Sequence, residues 1–218
     1  MSDEGSQETE KSSGQETAPK TSERIEPILA HLKLVEADVD LDKIRTHFDQ
    51  LWEFENGDSL EPEEQYLTTI ALFIYTVHLG LDDYNINIKR AREYITEAFR
   101  SFLKPEIDKM VAEEKASDNP FKKFVETNLP KVDEFFTWRH FLLEHKKNDE
   151  KNWTFKMKQC WFATFFIRFG RTDIIQTACN FDSIPAQARE DYVHLKLSNT
   201  FAKLGTFCEF KYTPAKKD

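Results

Sequence analysis

The stretch Asn152-Trp-Thr-Phe-Lys-Met-Lys-Gln-Cys-Trp-Phe-Ala-Thr-Phe-Phe-Ile-Arg-Phe169 decides how the chain is read. It reads as one helix over residues 152–169, because Cys160 to Ile167 carry apolar side chains on nearly every face and Gly170 supplies a C-terminal stop. A second run, Ile70-Ala-Leu-Phe-Ile-Tyr-Thr-Val77, is apolar on all sides as well. It lies in a helix expected over residues 60–79, with Pro62 in its first turn and Gly80 at its end. Two helices with no polar face belong at the centre of a domain, so the core is expected around residues 65–79 and 155–169.

Working outward, three- and four-residue spacing recurs. Ile25, Ile28, Leu29 and Leu32 form one stripe; Ile44, Phe48, Leu51 and Trp52 form another, with Asp40 as its N-cap. Ile88, Ala91, Ile95, Phe99 and Phe102 give a third, expected to end at Pro105, and a short helix through Ile107, Met110 and Val111 should follow. Phe135, Phe136, Trp138, Phe141 and Leu142 read as a helix closing before the polar run Lys146–Lys151. Thr172 caps a short helix through Cys179, and Pro185 opens a last long one running to Gly205. Thr206 to Tyr212 alternate like a strand, but one strand cannot form a sheet, so an extended tail is expected. Only 6 glycines are present, which leaves little material for the tight turns of a many-stranded sheet.

The fold class expected is therefore all-α: one domain of about eight helices over residues 25–212. Residues 2–24 contain no Val, Ile, Leu, Met or aromatic side chain and cannot bury enough apolar area to offset the entropy of ordering, so residues 1–24 are read as a disordered acidic tail. Residues 213–218 are read as a flexible C-terminus. No run approaches the roughly 18 apolar residues of a membrane span, so no membrane insertion is expected. The N-terminus lacks a signal-peptide pattern, and the expected address is the cytoplasm or nucleus.

The chemistry that sequence patterns reveal is sparse. Cys160, Cys179 and Cys208 are odd in number and widely spaced, which reads as buried free thiols. Asp191-Tyr-Val-His194 is a single DxxH with Glu190 beside it, and a surface pair explains it without a metal. Asp82-Asp83 lacks a carboxylate one turn on, since 85 is Asn and 86 is Ile, and it reads as a helix cap. No nucleophile elbow or phosphate-cradling glycine loop occurs. No catalytic, cofactor-binding or metal-binding residue is assigned on this basis.

The net charge of −9 is uneven: the acidic excess lies in the first 130 residues and the remainder is mildly basic. Within 151–171, Lys156, Lys158 and Arg171 mix with Trp153, Trp161 and several Phe, the composition of a single-stranded nucleic-acid platform, although the whole chain is acidic. Thr213-Pro214, followed by two lysines, has the shape of a proline-directed phosphorylation site.

The leading functional expectation is a non-enzymatic adaptor or regulatory module. It would take an amphipathic helix or peptide of a basic protein partner, with Trp52, Trp138 and Trp153 as candidate anchors. The alternatives are an interior site for a small apolar ligand or cofactor, lined by the 19 Phe, and a nucleic-acid-associated factor.

Overall fold

A computed structural model describes residues 21–34 and 39–216; most of the expected tail, residues 1–20, lies outside the described residues, as do the last two of the chain. Thr21–Arg24 form a single 3-10 turn. The helices that follow are α1 (Glu26–Leu29), α2 (Leu41–Phe54), α3 (Pro62–Asp82), α4 (Ile88–Lys115) and α5 (Pro120–Phe135). The second half is mixed: strands β1 (Leu143–Asp149) and β2 (Asn152–Met157), helices α6 (Trp161–Arg168) and α7 (Ile175–Gln187), then β3 (Val193–Ser198) and β4 (Cys208–Pro214).

The all-α expectation is overturned. The fold is α/β, with the four strands in one antiparallel sheet ordered β1-β2-β4-β3. The apolar stretch 152–169 is two elements, not one helix. Its first six residues alternate between half-buried Asn152, Thr154 and Lys156 and buried Trp153, Phe155 and Met157, a period of two that fits a strand with one face on a core. Only from Trp161 does the spacing become helical. The polar run before it is the tip of the β1–β2 hairpin, not a break after a helix, and Val193 to Ser198 is a strand because His194 and Lys196 alternate with Val193, Leu195 and Leu197.

The strands align their apolar side chains across the sheet. Trp153 pairs with Tyr212, Phe155 with Phe210 and Met157 with Cys208, with Leu195 and Leu197 beyond on β3. Phe155 and Phe210 stack at 4.7 Å and Trp153 and Tyr212 at 4.9 Å. Cross-strand aromatic pairs of this kind fix the register, since a slip by one residue would turn every ring to the other face. Against this face packs α5, where Phe124 meets Trp153 at 5.9 Å and Tyr212 at 5.4 Å.

The helical half follows its stripes closely. Asp40 caps α2, accepting from the backbone N–H groups of Asp42 and Lys43. Central α3 is buried along most of Leu67–Leu81 and touches α2, α4, α6 and α7. Pro105 does not end α4. The apolar stripe continues across it from Ile95 and Phe99 to Ile107, and burying that stripe offsets the roughly 3 kcal/mol an interior proline costs. Pro185 likewise lies inside α7 instead of opening a helix. Gly57 is fixed by a close approach, since a Cβ there would lie 2.1 Å from the Trp52 ring, whose Nε1 donates to Asp58 at 3.0 Å.

Candidate functional site

Where the buried face of the sheet meets α4, α5 and α7, packing leaves a cavity of about 250 Å³. The sheet contributes Trp153, Phe155, Phe210 and Tyr212; α4 contributes Leu103, Ile107 and Met110; α5 contributes Phe124, Val132 and Phe135; α7 contributes Phe181, Asp182 and Pro185. Large flat rings on strands and helices that cross one another cannot fill the space between them, so a slot lined by aromatic faces remains. Such a wall suits a small planar ligand, with a few polar groups setting its orientation.

Three of those polar groups stand out. Asp182 comes from the middle of α7, and among the described residues no hydrogen bond or ion pair reaches its carboxyl. Burial alone pushes that carboxyl up to about 7. Its remaining accessible surface is modest, and the side chain belongs to the cavity wall. Trp153 is fully buried, and its Nε1 has no acceptor among the described residues. Burial raises the Tyr212 phenol, with the nearby Asp182 charge adding to the effect, so it stays protonated. An unpartnered acid poised near neutrality, an unused N–H and a neutral phenol thus lie among aromatic rings.

Behind this wall lies a second, fully satisfied acid. Glu114, near the C-terminal end of α4, is buried where a helix end disfavours negative charge. Arg189 compensates it bidentately, Nε to Oε2 at 2.6 Å and Nη2 to Oε1 at 2.9 Å. Tyr192 donates to the same carboxylate at 2.5 Å and Asn128 at 3.2 Å. At the edge of the cavity, Lys131 of α5 pairs with Glu106 of α4 at 2.7 Å, both side chains well exposed.

Burial holds the three thiols and His78 in their neutral forms. Burial pushes the Cys160 thiol up to about 12 and the Cys208 thiol up to about 11, and raises Cys179 in the same direction. Thiols so raised carry almost no thiolate at neutral pH and are poor nucleophiles. His78, held down to about 3 by burial and the nearby Arg171, shares a hydrogen bond of 2.8 Å with Thr177 and stays neutral between α3 and α7. Among the described residues, no group of three or more His, Cys, Asp or Glu side chains is placed to hold a metal ion.

Of the residues singled out from sequence, the structure brings only Trp153 to the cavity. Trp52 is buried on α2, whereas Trp138 is 84% exposed in the α5–β1 connection. Lys156, Lys158 and Arg171 do not share a basic patch of free cations: each faces a carboxylate, Glu209 at 3.6 Å, Glu144 at 2.5 Å and Asp173 at 3.0 Å respectively. Thr213 lies half-buried in β4, paired with His194. Sequence reasoning missed Asp182, yet a signal existed. Asp182 continues the buried stripe Ile175, Ala178 and Cys179 at helical spacing, an acid at a core position.

The family model described as L-2-amino-thiazoline-4-carboxylic acid hydrolase matches residues 73–212, more than half of the chain, from mid-α3 through most of β4. The matched region holds nearly the whole cavity, Asp182, Glu114, Arg189 and Trp153 included. Among curated proteins, none matches this sequence. Two solved structures have weak similarity: the Fe(II) unliganded H-NOX protein from K. algicida, at 8% identity, and a point mutant of it, at 11%. Both have a TM-score of 0.37; the first covers 81% of this chain and 93% of the H-NOX chain, and the second 80% and 96%. The expectations of an adaptor, a nuclear address and a phosphoprotein find no support in the fold or the family match, and all-α is replaced by α/β. Among the described residues, no helix is long and apolar enough to cross a membrane.

Proposed function

This chain belongs to the L-2-amino-thiazoline-4-carboxylic acid hydrolase family, and from that premise we propose that the aromatic cavity is a small-molecule site in which Asp182 moves a proton during hydrolysis of a small amidine-containing heterocycle. The observation that carries this reading is the Asp182 carboxyl itself, unpartnered among the described residues and raised to about 7 inside an aromatic cavity. Hydrolysis of a cyclic amidine needs a base to take a proton from water as its oxygen bonds to the amidine carbon. It then needs an acid to protonate the departing sulfur or nitrogen as the ring opens. A single carboxyl with a pKa near the working pH serves both steps in turn.

The surrounding rings supply flat apolar contact for the heterocycle and exclude bulk water, which strengthens the interaction of a protonated amidine with Asp182. The free Trp153 N–H is a donor for a ligand acceptor in the same space. Tyr212, kept neutral by burial and by Asp182, adds a hydroxyl without a competing charge.

The test is direct. The purified protein is incubated with L-2-amino-thiazoline-4-carboxylic acid, and the product is followed by mass spectrometry for the addition of one water, alongside thiol titration for cleavage at sulfur. Turnover by the wild type that falls by about 10²–10⁴-fold in Asp182→Asn, with the variant still folded, is the expected result. Failure of the wild type both to bind and to turn over this compound rejects the reading.

A further inference from the structure

With the cavity as the substrate site, as proposed above, the charged groups on its wall decide which ligands it accepts. Two cations line the cavity, and they differ in availability. Arg189 is fully buried with every guanidinium nitrogen engaged, Nε and Nη2 on Glu114 and Nη1 on the Pro185 carbonyl at 2.8 Å. Freeing it would strand the Glu114 charge in the core. Lys131 stands at the cavity edge with about half of its side chain exposed. Among the described residues its ammonium is met by Glu106 at 2.7 Å and by the Met110 sulfur at 3.3 Å.

That outer pair is easily exchanged. Glu106 is more exposed than Lys131, at 65%, so its carboxylate can turn into water at little cost, and an exposed pair of this kind contributes little stability. Lys131 and Glu106, with Phe135, also line an adjoining hollow of about 350 Å³, whose lining includes Glu63 and Glu134 beside Tyr66 and Leu67. A ligand that entered the cavity past these shared residues would meet carboxylates and one exchangeable cation, Lys131. Deeper in, its only titratable acid without a partner among the described residues is Asp182.

We propose that Lys131 is the specificity residue for the carboxylate of the ligand, exchanging Glu106 for it while the basic end of the same molecule lies inward among the rings. The site is thereby matched to small zwitterions that carry a cationic amidine and a carboxylate on one small ring. A neutral or purely cationic ring would satisfy the inner end alone. A doubly acidic ligand would bring a second negative charge towards Asp182.

Calorimetric titration of wild type, Lys131→Gln and Glu106→Gln with two probes tests this: the carboxylated amino-thiazoline and the same ring lacking its carboxylate. In the wild type the acid binds about tenfold more tightly than the uncarboxylated ring, the size expected of one charge-assisted hydrogen bond. Lys131→Gln erases that preference and leaves the affinity for the uncarboxylated ring unchanged, whereas Glu106→Gln widens it. If both probes bind the wild type but the preference persists in Lys131→Gln, or never existed, the assignment of Lys131 is overturned while the cavity remains the site. If neither probe binds the wild type, the site reading fails and Lys131 loses its role with it.

Discussion

Glu114 and Asp182 are two acids set into the apolar stripes of two neighbouring helices and turned towards the same interior, yet the molecule treats them in opposite ways. Glu114 receives two bonds from Arg189, one from Tyr192 and one from Asn128, so its charge is neutralised and its lone pairs are occupied. Asp182 receives none from the described residues, and burial raises it to about 7. A carboxylate whose donors the fold supplies is structure. A carboxyl left without donors in an aromatic cavity costs stability and can be satisfied only by what enters. The contrast separates a structural carboxylate from the one that the proposed reaction would use, without reference to any ligand.

The largest effect should come from breaking the frame. Glu114→Gln leaves the Arg189 guanidinium buried and uncompensated, and removing one partner of such a pair costs about 3–5 kcal/mol. Urea denaturation of the variant should show that loss, whereas Glu114→Leu combined with Arg189→Met should recover much of it, since no charge is then stranded. A loss below about 1 kcal/mol for Glu114→Gln would mean that the network is not structural, and the contrast with Asp182 would collapse.

Asp182→Asn should act with the opposite sign. The Asp182 carboxyl titrates at about 7 in the folded chain against an ordinary 3.8, so folding favours its protonated form. Below 3.8 both states hold the proton and the group does not oppose folding; as pH rises through 7 the folded chain bears the full cost of a buried charge. That cost approaches roughly 4 kcal/mol in a dry site, and the solvent access left to this half-buried side chain reduces it to about 2. Asp182→Asn should therefore stabilise the protein by about 2 kcal/mol near pH 8 and change nothing near pH 3.5, while turnover falls by about 10²–10⁴-fold. The rate in the wild type should rise with pH through about 7, as the basic form of Asp182 becomes populated. A destabilised Asp182→Asn at alkaline pH would reveal a hidden partner and place Asp182 in the same class as Glu114.

The sequence was read well where one periodicity runs unbroken and poorly where two meet. The stripes of α2, α3 and the first part of α4 are legible because three- and four-residue spacing persists for several turns, and Asp40 announces α2. The sheet was hidden by adjacency: β2 runs almost directly into α6, and fusing Trp153–Met157 with Trp161–Arg168 makes one apolar run in which the alternation of the first part disappears. With β2 lost, the alternation of β4 had no partner and read as a tail, and that of β3 was absorbed into a helix. Asp182 was lost for a related reason. Dividing the chain at Pro185 cut the stripe that places this acid at a core position, although helix packing carries α7 through the proline to Gln187. The pairing of Glu114 with Arg189, 75 residues apart, is a tertiary fact that no local pattern contains.

The smallest expected effect bears on Trp153, which the contrast leaves between the two classes. Its ring is part of the frame, stacked on Tyr212 at 4.9 Å and packed against Phe124. Its Nε1, buried without an acceptor among the described residues, resembles Asp182 instead. Trp153→Phe loses ring volume and stacking area, which destabilises, but it also removes a desolvated donor whose burial costs about 1–3 kcal/mol. The two contributions oppose, so the net change in stability should stay within about 1 kcal/mol by urea denaturation. Affinity for the amino-thiazoline should fall by about tenfold if the N–H donates to the ligand, because the site then loses a hydrogen bond it makes only in the complex. Unchanged affinity would assign Trp153 wholly to the frame. A stability loss well above 3 kcal/mol would show that the indole N–H is already engaged in the free protein, leaving Asp182 as the member of this pair that stays open for a ligand.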